Sequence, residues 1–321
     1  MIIIKEISMM FTWKLVTVLL SLGTLLGCSG SPTSPIIPPE VSDEVLQLFE
    51  YDDSAPLEIQ LVREFPVESF MVQDITYASP MGGRVPAFLF LPEGEGPFPG
   101  LIIMHGLPSN RHDITGRAQR YTRMGAVVLI ITAPWARVEA GPRDFPIQFT
   151  PQDSVEQVQL IVDLRRGVDL LRAHELVDGA RIGFVGGSYG GAIGGLLAGV
   201  ERRIVAYALV VGDGGVVTHF RTGGDLDRLP SDQRKRWLRA MEPIEPIRFV
   251  GRAAPAPLLF QNGLRDEFVS VHDAEKYQNA GSEPKTIRWY DSGHGLSPEA
   301  SEFQAEWLEK WIGIDASLWK W

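Results

Sequence analysis

The chain has 321 residues, of which 45% are hydrophobic, and it carries a formal net charge of −10 with a pI near 5.2. This length allows one large domain or two small ones. The acidic balance argues against nucleic acid or an anionic membrane surface as a partner, because both call for basic patches. The sequence has no C-x-x-C, H-E-x-x-H or Walker A motif and only one cysteine, so it predicts no metal, no cofactor and no intrachain disulfide.

The first 27 residues are predicted to be a signal peptide. An apolar run over residues 15–26 follows Lys14 and is too short to span a membrane comfortably, which is typical of the central region of a signal peptide. The run leads into Leu-Leu-Gly-Cys28, which resembles the lipobox of bacterial lipoproteins, and Cys28 is the only cysteine in the chain. An uncleaved anchor helix and a plain secretory signal are the alternatives.

The lipobox resemblance implies that cleavage falls before Cys28 and that this cysteine carries lipid. The protein would then be anchored to a membrane of the bacterial cell envelope, at the periplasmic face of the outer membrane or at the cell surface. Residues 28–40 are rich in serine and proline and are expected to form a semi-extended tether. Residues 41–321 are expected to form the globular domain, beginning with helix and loop over residues 41–65.

A strand rhythm begins at about residue 70. Residues 70–77 and 85–91 flank the turn-rich link at residues 79–83, which predicts a hairpin. Residues 100–105 and 126–132 are continuous apolar runs, which suit strands covered on both faces, as in a parallel sheet.

Helical segments alternate with the later strands. Residues 114–124 look helical, and a long helix is predicted through His174, with Asp153, Ser154 and Gln157 as possible capping residues at its start. One stripe of that long helix is apolar and comprises Val155, Val158, Ile161, Leu164, Val168 and Leu171. Four more strands are predicted at residues 181–185, 204–211, 257–262 and 286–291. Eight strands, six of them in βαβ alternation, predict an α/β protein with a mostly parallel, doubly wound sheet and an active site at the carboxyl ends of the strands.

The strand at residues 181–185 runs into Gly186-Gly187-Ser188-Tyr189-Gly190, which fits the G-x-S-x-G nucleophile elbow. A serine on such a sharp strand-to-helix turn needs glycine two residues before and two after it, because a β-carbon would come too close there. The small-residue run at 192–200 is the expected helix, whose N-terminus favours developing negative charge. A tight turn with an incidental serine is the alternative.

A nucleophilic serine needs a histidine as base, and the order in this kind of elbow is serine, acid, histidine. His219, His272 and His294 follow Ser188 in the chain. His294 lies in Gly-His-Gly directly after the last predicted strand, where a loop could bring its imidazole toward Ser188. His294 is therefore the preferred base, and a surface loop histidine is the alternative.

The preferred acid is Asp266, which comes just after the seventh predicted strand and so lies over the same sheet edge as the serine. Its rivals are Glu267, the next residue, and Asp213, which comes just after the sixth predicted strand.

The tetrahedral intermediate also needs an oxyanion hole. The residue after the nucleophile supplies one backbone N–H, here that of Tyr189, and the loop after the third strand supplies the other. In that loop Leu107 has an N–H to donate and Pro108 has none. His105 is expected to hold the loop rather than to act as a base.

Together these residues resemble the α/β-hydrolase superfamily, and within it the branch of dienelactone hydrolases, acetyl xylan esterases and prolyl-oligopeptidase catalytic domains. The resemblance covers roughly residues 70–313. It rests on residues 99–106, the elbow at 186–191, the Asp266 segment and Gly293-His294-Gly295. Peptidases of this branch usually carry a β-propeller, and only about forty residues lie between the predicted cleavage point and the first strand, which favours a free-standing esterase.

The resemblance implies a small lid insertion at about residues 212–256. Trp237, Leu238 and Met241 could form the apolar face of a lid helix, and the loop at 133–153 could also wall a pocket. Packing of these aromatic residues against the domain is the alternative. Arg137 or Arg143 could hold a substrate carboxylate, although surface arginines are commoner than ligands.

The sequence therefore predicts a lipid-anchored serine hydrolase that cleaves small-molecule carboxylic esters through an acyl-enzyme. The predicted triad is Ser188, Asp266 and His294, and Leu107 and Tyr189 form the oxyanion hole. A peptidase or amidase on the same triad is one alternative. A non-catalytic binding lipoprotein is another, and the ordered presence of the triad and the elbow glycines argues against it.

Overall fold

The computed structural model describes residues 40–141 and 143–319. The predicted signal peptide, the lipobox at Cys28 and all but the last residue of the tether lie outside the described residues. Within the described ranges, no helix combines the length and the apolar character that crossing a membrane requires.

The domain is built on one nine-stranded sheet with the strand order β1-β2-β3-β5-β4-β6-β7-β8-β9. The strands that flank the hairpin turn pair antiparallel, and β4 to β9 are mutually parallel. Their bounds are β1 Gln60–Val67, β2 Phe70–Ala78, β3 Arg84–Pro92, β4 Phe98–Met104, β5 Val127–Ile131, β6 Val177–Gly187, β7 Ala206–Val210, β8 Leu258–Gly263 and β9 Lys285–Tyr290.

Helices cover both faces of this sheet. Their bounds are α1 Asp43–Gln47, α2 Thr115–Arg123, α3 Gln152–Ala173, α4 Tyr189–Val200, α5 Val216–Thr222, α6 Asp225–Arg228, α7 Ser231–Met241, α8 Val271–Ala280 and α9 Pro298–Ile312. Side chains of β4 alternate between the two faces: Ile102 packs in the same core as α3 and α4, whereas Ile103 packs in the same core as α2 and α9. A strand covered on both faces has no polar side, which explains the continuous apolar runs in the sequence.

The prediction of a mostly parallel, doubly wound sheet is confirmed, and the predicted strands are all present. The sheet has nine strands rather than eight because the segment at residues 41–65 contains β1 in addition to its helix and loop. All but the last residue of β1 are exposed, so the strand has no buried face that would impose an apolar alternation on its sequence. Among the strands of the described residues, β2 is its only neighbour in the sheet.

The long predicted helix is α3, and most of its apolar stripe is buried, but Val155 is 46% exposed. Asp153 does not cap this helix through its own first turn. Its carboxylate accepts the backbone N–H of Gln148 at 3.0 Å and the indole N–H of Trp237 at 2.7 Å. Asp153 thereby joins the loop before α3 to α7.

The predicted lid segment contains α5, α6 and α7, and its aromatic residues pack inward. Trp237 is fully buried, and its ring centroid lies 5.2 Å from that of Phe149, which in turn lies 4.9 Å from that of Phe220. This cluster supports the packing alternative for Phe149 and Trp237. It joins the segment at 212–256 to the loop at 133–153.

Candidate active site

The parallel strands end in register at one edge of the sheet, and the candidate residues follow those ends. In the ladders, Met104 of β4 lies opposite Gly186 of β6, and Val210 of β7 lies opposite both Gly187 of β6 and Gln261 of β8. The loops that carry the predicted oxyanion residue, the serine and the acid therefore emerge side by side, as the rule for open α/β sheets requires.

Ser188 occupies the strained turn between β6 and α4, with φ 55° and ψ −124°. A β-carbon on Gly186 would stand 2.0 Å from the carbonyl oxygen of Gly190, and one on Gly190 would stand 2.5 Å from the carbonyl oxygen of Met104. Only glycine fits at these two positions. The backbone N–H of Ser188 donates to the carbonyl of Val210 at 2.8 Å, which ties the turn to β7.

His294 and Asp266 form a hydrogen-bonded pair. The Nδ1 atom of His294 lies 2.9 Å from Oδ2 and 3.0 Å from Oδ1 of Asp266, whose side chain is 1% exposed. Burial raises the pKa of the Asp266 carboxyl, but hydrogen bonds from His294 and from the backbone N–H groups of Val269 and Phe268 outweigh burial and hold this pKa below its usual range. The carboxylate therefore stays ionised and orients the imidazole.

The rival acids have other partners. Asp213 lies 3.0 Å from Nδ1 of His219, and Glu267 accepts only the backbone N–H of His294, at 3.3 Å. His272 lies exposed on α8. The structure thus joins His294 to Asp266 through its imidazole and keeps Asp213 in a separate pair.

The predicted oxyanion residues belong to segments next to Ser188, and Leu107 lines the same cavity as the serine. A β-carbon on Gly106 would stand 2.8 Å from Cβ of Ser188, so the loop that continues into Leu107 runs directly against the serine. Tyr189 is the first residue of α4, where a backbone N–H has no partner within its own helix. The Tyr189 hydroxyl donates to Gln157 at 2.8 Å, which anchors the side chain in the core.

His105 is 1% exposed, and its Nδ1 lies 2.9 Å from the carbonyl oxygen of Gly106. Burial lowers the pKa of His105, which favours the neutral ring, and a proton on Nδ1 would be donated to that carbonyl. This arrangement agrees with the prediction that His105 holds the loop.

Ser188 and His294 line one cavity of about 370 Å³. Three polar side chains that the sequence analysis missed line this cavity and are joined by hydrogen bonds. The Tyr121 hydroxyl donates to Gln304, whose amide donates to Gln261 at 2.7 Å. Gln261 in turn donates to the Tyr290 hydroxyl at 2.9 Å. The other lining residues include Leu107, Ser109, Ile114, Arg117, Arg120, Val210, Val211, Leu296, Ala300, Ser301 and Trp319. Among the described residues, no member of the predicted lid segment lines this cavity.

The arginines that the sequence analysis offered as carboxylate ligands are already paired. Nη2 of Arg137 lies 2.5 Å from Oδ2 of the fully buried Asp163, and Nη2 of Arg143 lies 2.5 Å from Oε1 of Glu156. Neither lines the cavity that contains Ser188. Over the described ranges, no cluster of three or more histidine, cysteine, aspartate or glutamate side chains could hold a metal ion.

Comparison with known proteins finds sequence similarity to a peptidase family, to a thioesterase and to an uncharacterized peptidase. The profile of the prolyl oligopeptidase family matches residues 156–315. Acyl-coenzyme A thioesterase 3 of Mus musculus is 29% identical over 266 residues, which are 74% of this chain and 57% of the thioesterase. The uncharacterized peptidase YuxL of Bacillus subtilis is 26% identical over 261 residues, 74% of this chain and 37% of that protein. The chain thus spans about half or less of the length of these two relatives.

Solved structures of esterases share the fold. An acetyl xylan esterase from a Paenibacillus species has a TM-score of 0.64 at 21% identity, over 84% of this chain and 93% of that one. Acetyl xylan esterase 1 from a Thermoanaerobacterium species has a TM-score of 0.67 at 18% identity, over 89% of this chain and 96% of that one.

The solved structures show that the chain has the α/β-hydrolase fold, and its sequence is similar to the prolyl oligopeptidase family, to a thioesterase and to an uncharacterized peptidase.

Proposed function

We propose that the protein is a carboxylic ester hydrolase that works through an acyl-enzyme on a Ser188–His294–Asp266 triad. The observation that carries the proposal is that Ser188, on its strained turn, lines the same cavity as His294, whose Nδ1 is bound by Asp266. Acyl transfer requires a nucleophile, a base and an orienting acid, and these three residues can supply those groups.

In the proposed reaction, Ser188 Oγ attacks the acyl carbon and His294 takes its proton. Since Nδ1 of His294 faces Asp266, the other ring nitrogen, Nε2, is the one left to accept that proton. The Leu107 and Tyr189 N–H groups stabilise the oxyanion. His294 then gives the proton to the leaving alcohol, and a water molecule, deprotonated by His294, attacks the acyl-enzyme, releases the carboxylic acid and restores Ser188.

Support for esters comes from the solved structures that share the fold over nearly their whole length, which are named acetyl xylan esterases. A peptidase or amidase activity is the second candidate, favoured by the prolyl oligopeptidase profile and by the Bacillus relative that is named a peptidase. The relative named a thioesterase extends the proposed ester class to thioesters.

One experiment tests the proposal against these candidates. The purified protein is treated with a fluorophosphonate probe, which reacts only with an activated serine, and is assayed on p-nitrophenyl esters, a thioester and aminoacyl p-nitroanilides. We expect labelling together with faster turnover of esters than of anilides. Faster turnover of anilides would replace the esterase with a peptidase, and absence of labelling would favour a non-catalytic binding protein.

We further propose that lipid on Cys28 anchors the enzyme to a membrane of the cell envelope. The support is the apolar run at residues 15–26 followed by Leu-Leu-Gly-Cys28 in a chain with no other cysteine. The full-length protein should partition with membranes, and C28A should lose both lipid and normal cleavage. Wild-type protein that is soluble without detergent and carries an unmodified Cys28 would contradict the anchor and leave the proposed activity untouched.

A further inference from the structure

Arg117 is a cation that lines the cavity containing Ser188 and has no partner among the described residues. It lies on α2, is partly buried and lines the cavity. Among the described residues it has no hydrogen bond and no ion pair. Arg111 and Arg123, at either end of the same region, are paired with Asp74 and Glu68. A guanidinium group that has lost part of its water and gained no acceptor is suited to bind an anion.

The position of Arg117 places this cation beside the candidate nucleophile. Its Nη1 atom lies 3.3 Å from the point where a β-carbon on Gly187 would stand, and Gly187 immediately precedes Ser188. The guanidinium group therefore lies over the elbow turn, within reach of a substrate group next to the ester bond.

The charge balance of the cavity differs from that of the whole chain. The chain has a net charge of −10, yet none of the described residues that line the cavity is an aspartate or a glutamate, and two of them, Arg117 and Arg120, are arginines. A cavity that carries positive charge in an acidic protein favours an anionic small molecule.

From these observations we infer that the preferred substrates are small esters or thioesters that carry a carboxylate or phosphate group, which binds Arg117 while the ester carbonyl lies at Ser188. The inference rests on the proposed esterase function and adds the substrate class to it. Arg117 is a specificity residue in this account, because it contacts the substrate anion and not the acyl carbon.

The experiment uses pairs of esters that differ only in one negative charge. On the acyl side, mono-4-nitrophenyl adipate is compared with its methyl ester; on the alcohol side, 4-acetoxybenzoate is compared with methyl 4-acetoxybenzoate. 4-Acetoxyphenyl phosphate then distinguishes phosphate from carboxylate. Initial rates of phenol release give kcat and KM for the wild type and the variants.

Two substitutions on α2 remove the same charge in different places. R117Q removes the cation from the cavity, whereas R123Q removes a cation that pairs with Glu68 and does not line the cavity. R117K keeps the charge but loses the bidentate geometry. We expect R117Q to lower kcat/KM for the preferred anionic ester about 10- to 100-fold, mainly through KM, while the neutral ester changes less than about threefold. R123Q should leave the preference unchanged, and R117K should keep part of it.

Binding without turnover separates this inference from the proposed function. In S188A, which should not turn over esters, monomethyl adipate should bind more tightly than dimethyl adipate, measured by calorimetry, and adding R117Q to S188A should remove the difference. The inference would be wrong if anionic and neutral compounds gave the same kcat/KM and the same affinity. It would also be wrong if the preference for the anionic compound survived in R117Q, even if esters are hydrolysed. Failure to hydrolyse any ester, with anion binding intact, would instead overturn the proposed function alone.

Discussion

The imidazole of His294 lies 2.9 Å from Oδ2 of Asp266, although 27 residues separate them in the chain. Their strands explain the meeting, because β8 and β9 are adjacent and parallel and Gly263 lies opposite Tyr290 at the ends of the two strands. Loops that begin at the same level of the sheet deliver the acid and the base to one place.

Replacement of Ser188 by alanine should abolish turnover and probe labelling without unfolding the protein. Removal of a triad serine costs on the order of 10⁶ in kcat, because the remaining groups supply only binding and oxyanion stabilisation. Ester turnover and labelling are measured beside a circular dichroism spectrum. A clean preparation that keeps a tenth of the wild-type rate would remove Ser188 from the mechanism.

Two asparagine substitutions test the choice of acid. D266N should lower kcat by about 10⁴, because an asparagine beside Nδ1 favours the wrong histidine tautomer. D213N is the matched control, since Asp213 pairs with His219 in the same way but not with His294. The two kcat values are compared on one ester. The opposite ranking would move the acid to Asp213.

The elbow glycines should differ in their effect on stability. A β-carbon on Gly186 would stand 2.0 Å from a backbone oxygen, whereas one on Gly187 would meet only the flexible end of Arg117 at 3.3 Å. G186A should therefore lower the free energy of unfolding by about 3 kcal/mol, and G187A by less than about 1 kcal/mol. Urea denaturation measures both. Equal effects would show that the backbone relaxes around Gly186.

Stability should depend on pH through Glu245, which lies buried against the first turn of α5. Burial raises the pKa of its carboxyl from 4.5 to about 8, against hydrogen bonds from the backbone N–H groups of Thr218 and Val217. The folded state therefore holds this proton more tightly than the unfolded state does. From pH 4.5 to about 8, unfolding releases the proton, so the free energy of unfolding falls as pH rises, by at most about 5 kcal/mol.

The test compares urea denaturation of the wild type and E245Q between pH 5 and 8.5. E245Q cannot ionise at this position, so its stability should fall less steeply with pH than that of the wild type. E242Q, which changes a half-exposed glutamate paired with Arg221, is the control and should follow the wild type. Parallel curves for the wild type and E245Q would show that Glu245 is ionised throughout this range.

The parallel part of the fold was predictable because strands buried on both faces appear in the sequence as continuous apolar runs. The run at residues 126–132 is apolar at every position except its last, and β5 is buried on both faces. β1 has no such run: its side chains face solvent, and its place in the sheet depends on hydrogen bonds to β2. Backbone pairing does not constrain side chains that stay exposed, so sequence patterns miss such a strand.

The residues of the candidate site also differ in whether the sequence predicts where they lie. Ser188, Asp266 and His294 follow strand ends, so their chain positions predict where they lie. The place of Arg117 depends instead on how α2 is rotated over the sheet, and the pairing of Arg137 and Arg143 depends on contacts with α3. Such packing angles have no local sequence signature. The sequence therefore suggested Arg137 or Arg143 as the ligand of a substrate carboxylate and did not suggest Arg117.

The elbow glycines affect how the sequences of related genes should be interpreted. Gly186 and Gly190 are required by backbone oxygens of the protein itself, not by any substrate. Selection for folding alone would therefore retain them in a gene copy that had lost its chemistry. Asp266 and His294 have no comparable steric requirement and could drift once catalysis is no longer selected. In a survey of related genes, the loss of these two residues beside intact glycines would mark inactive copies.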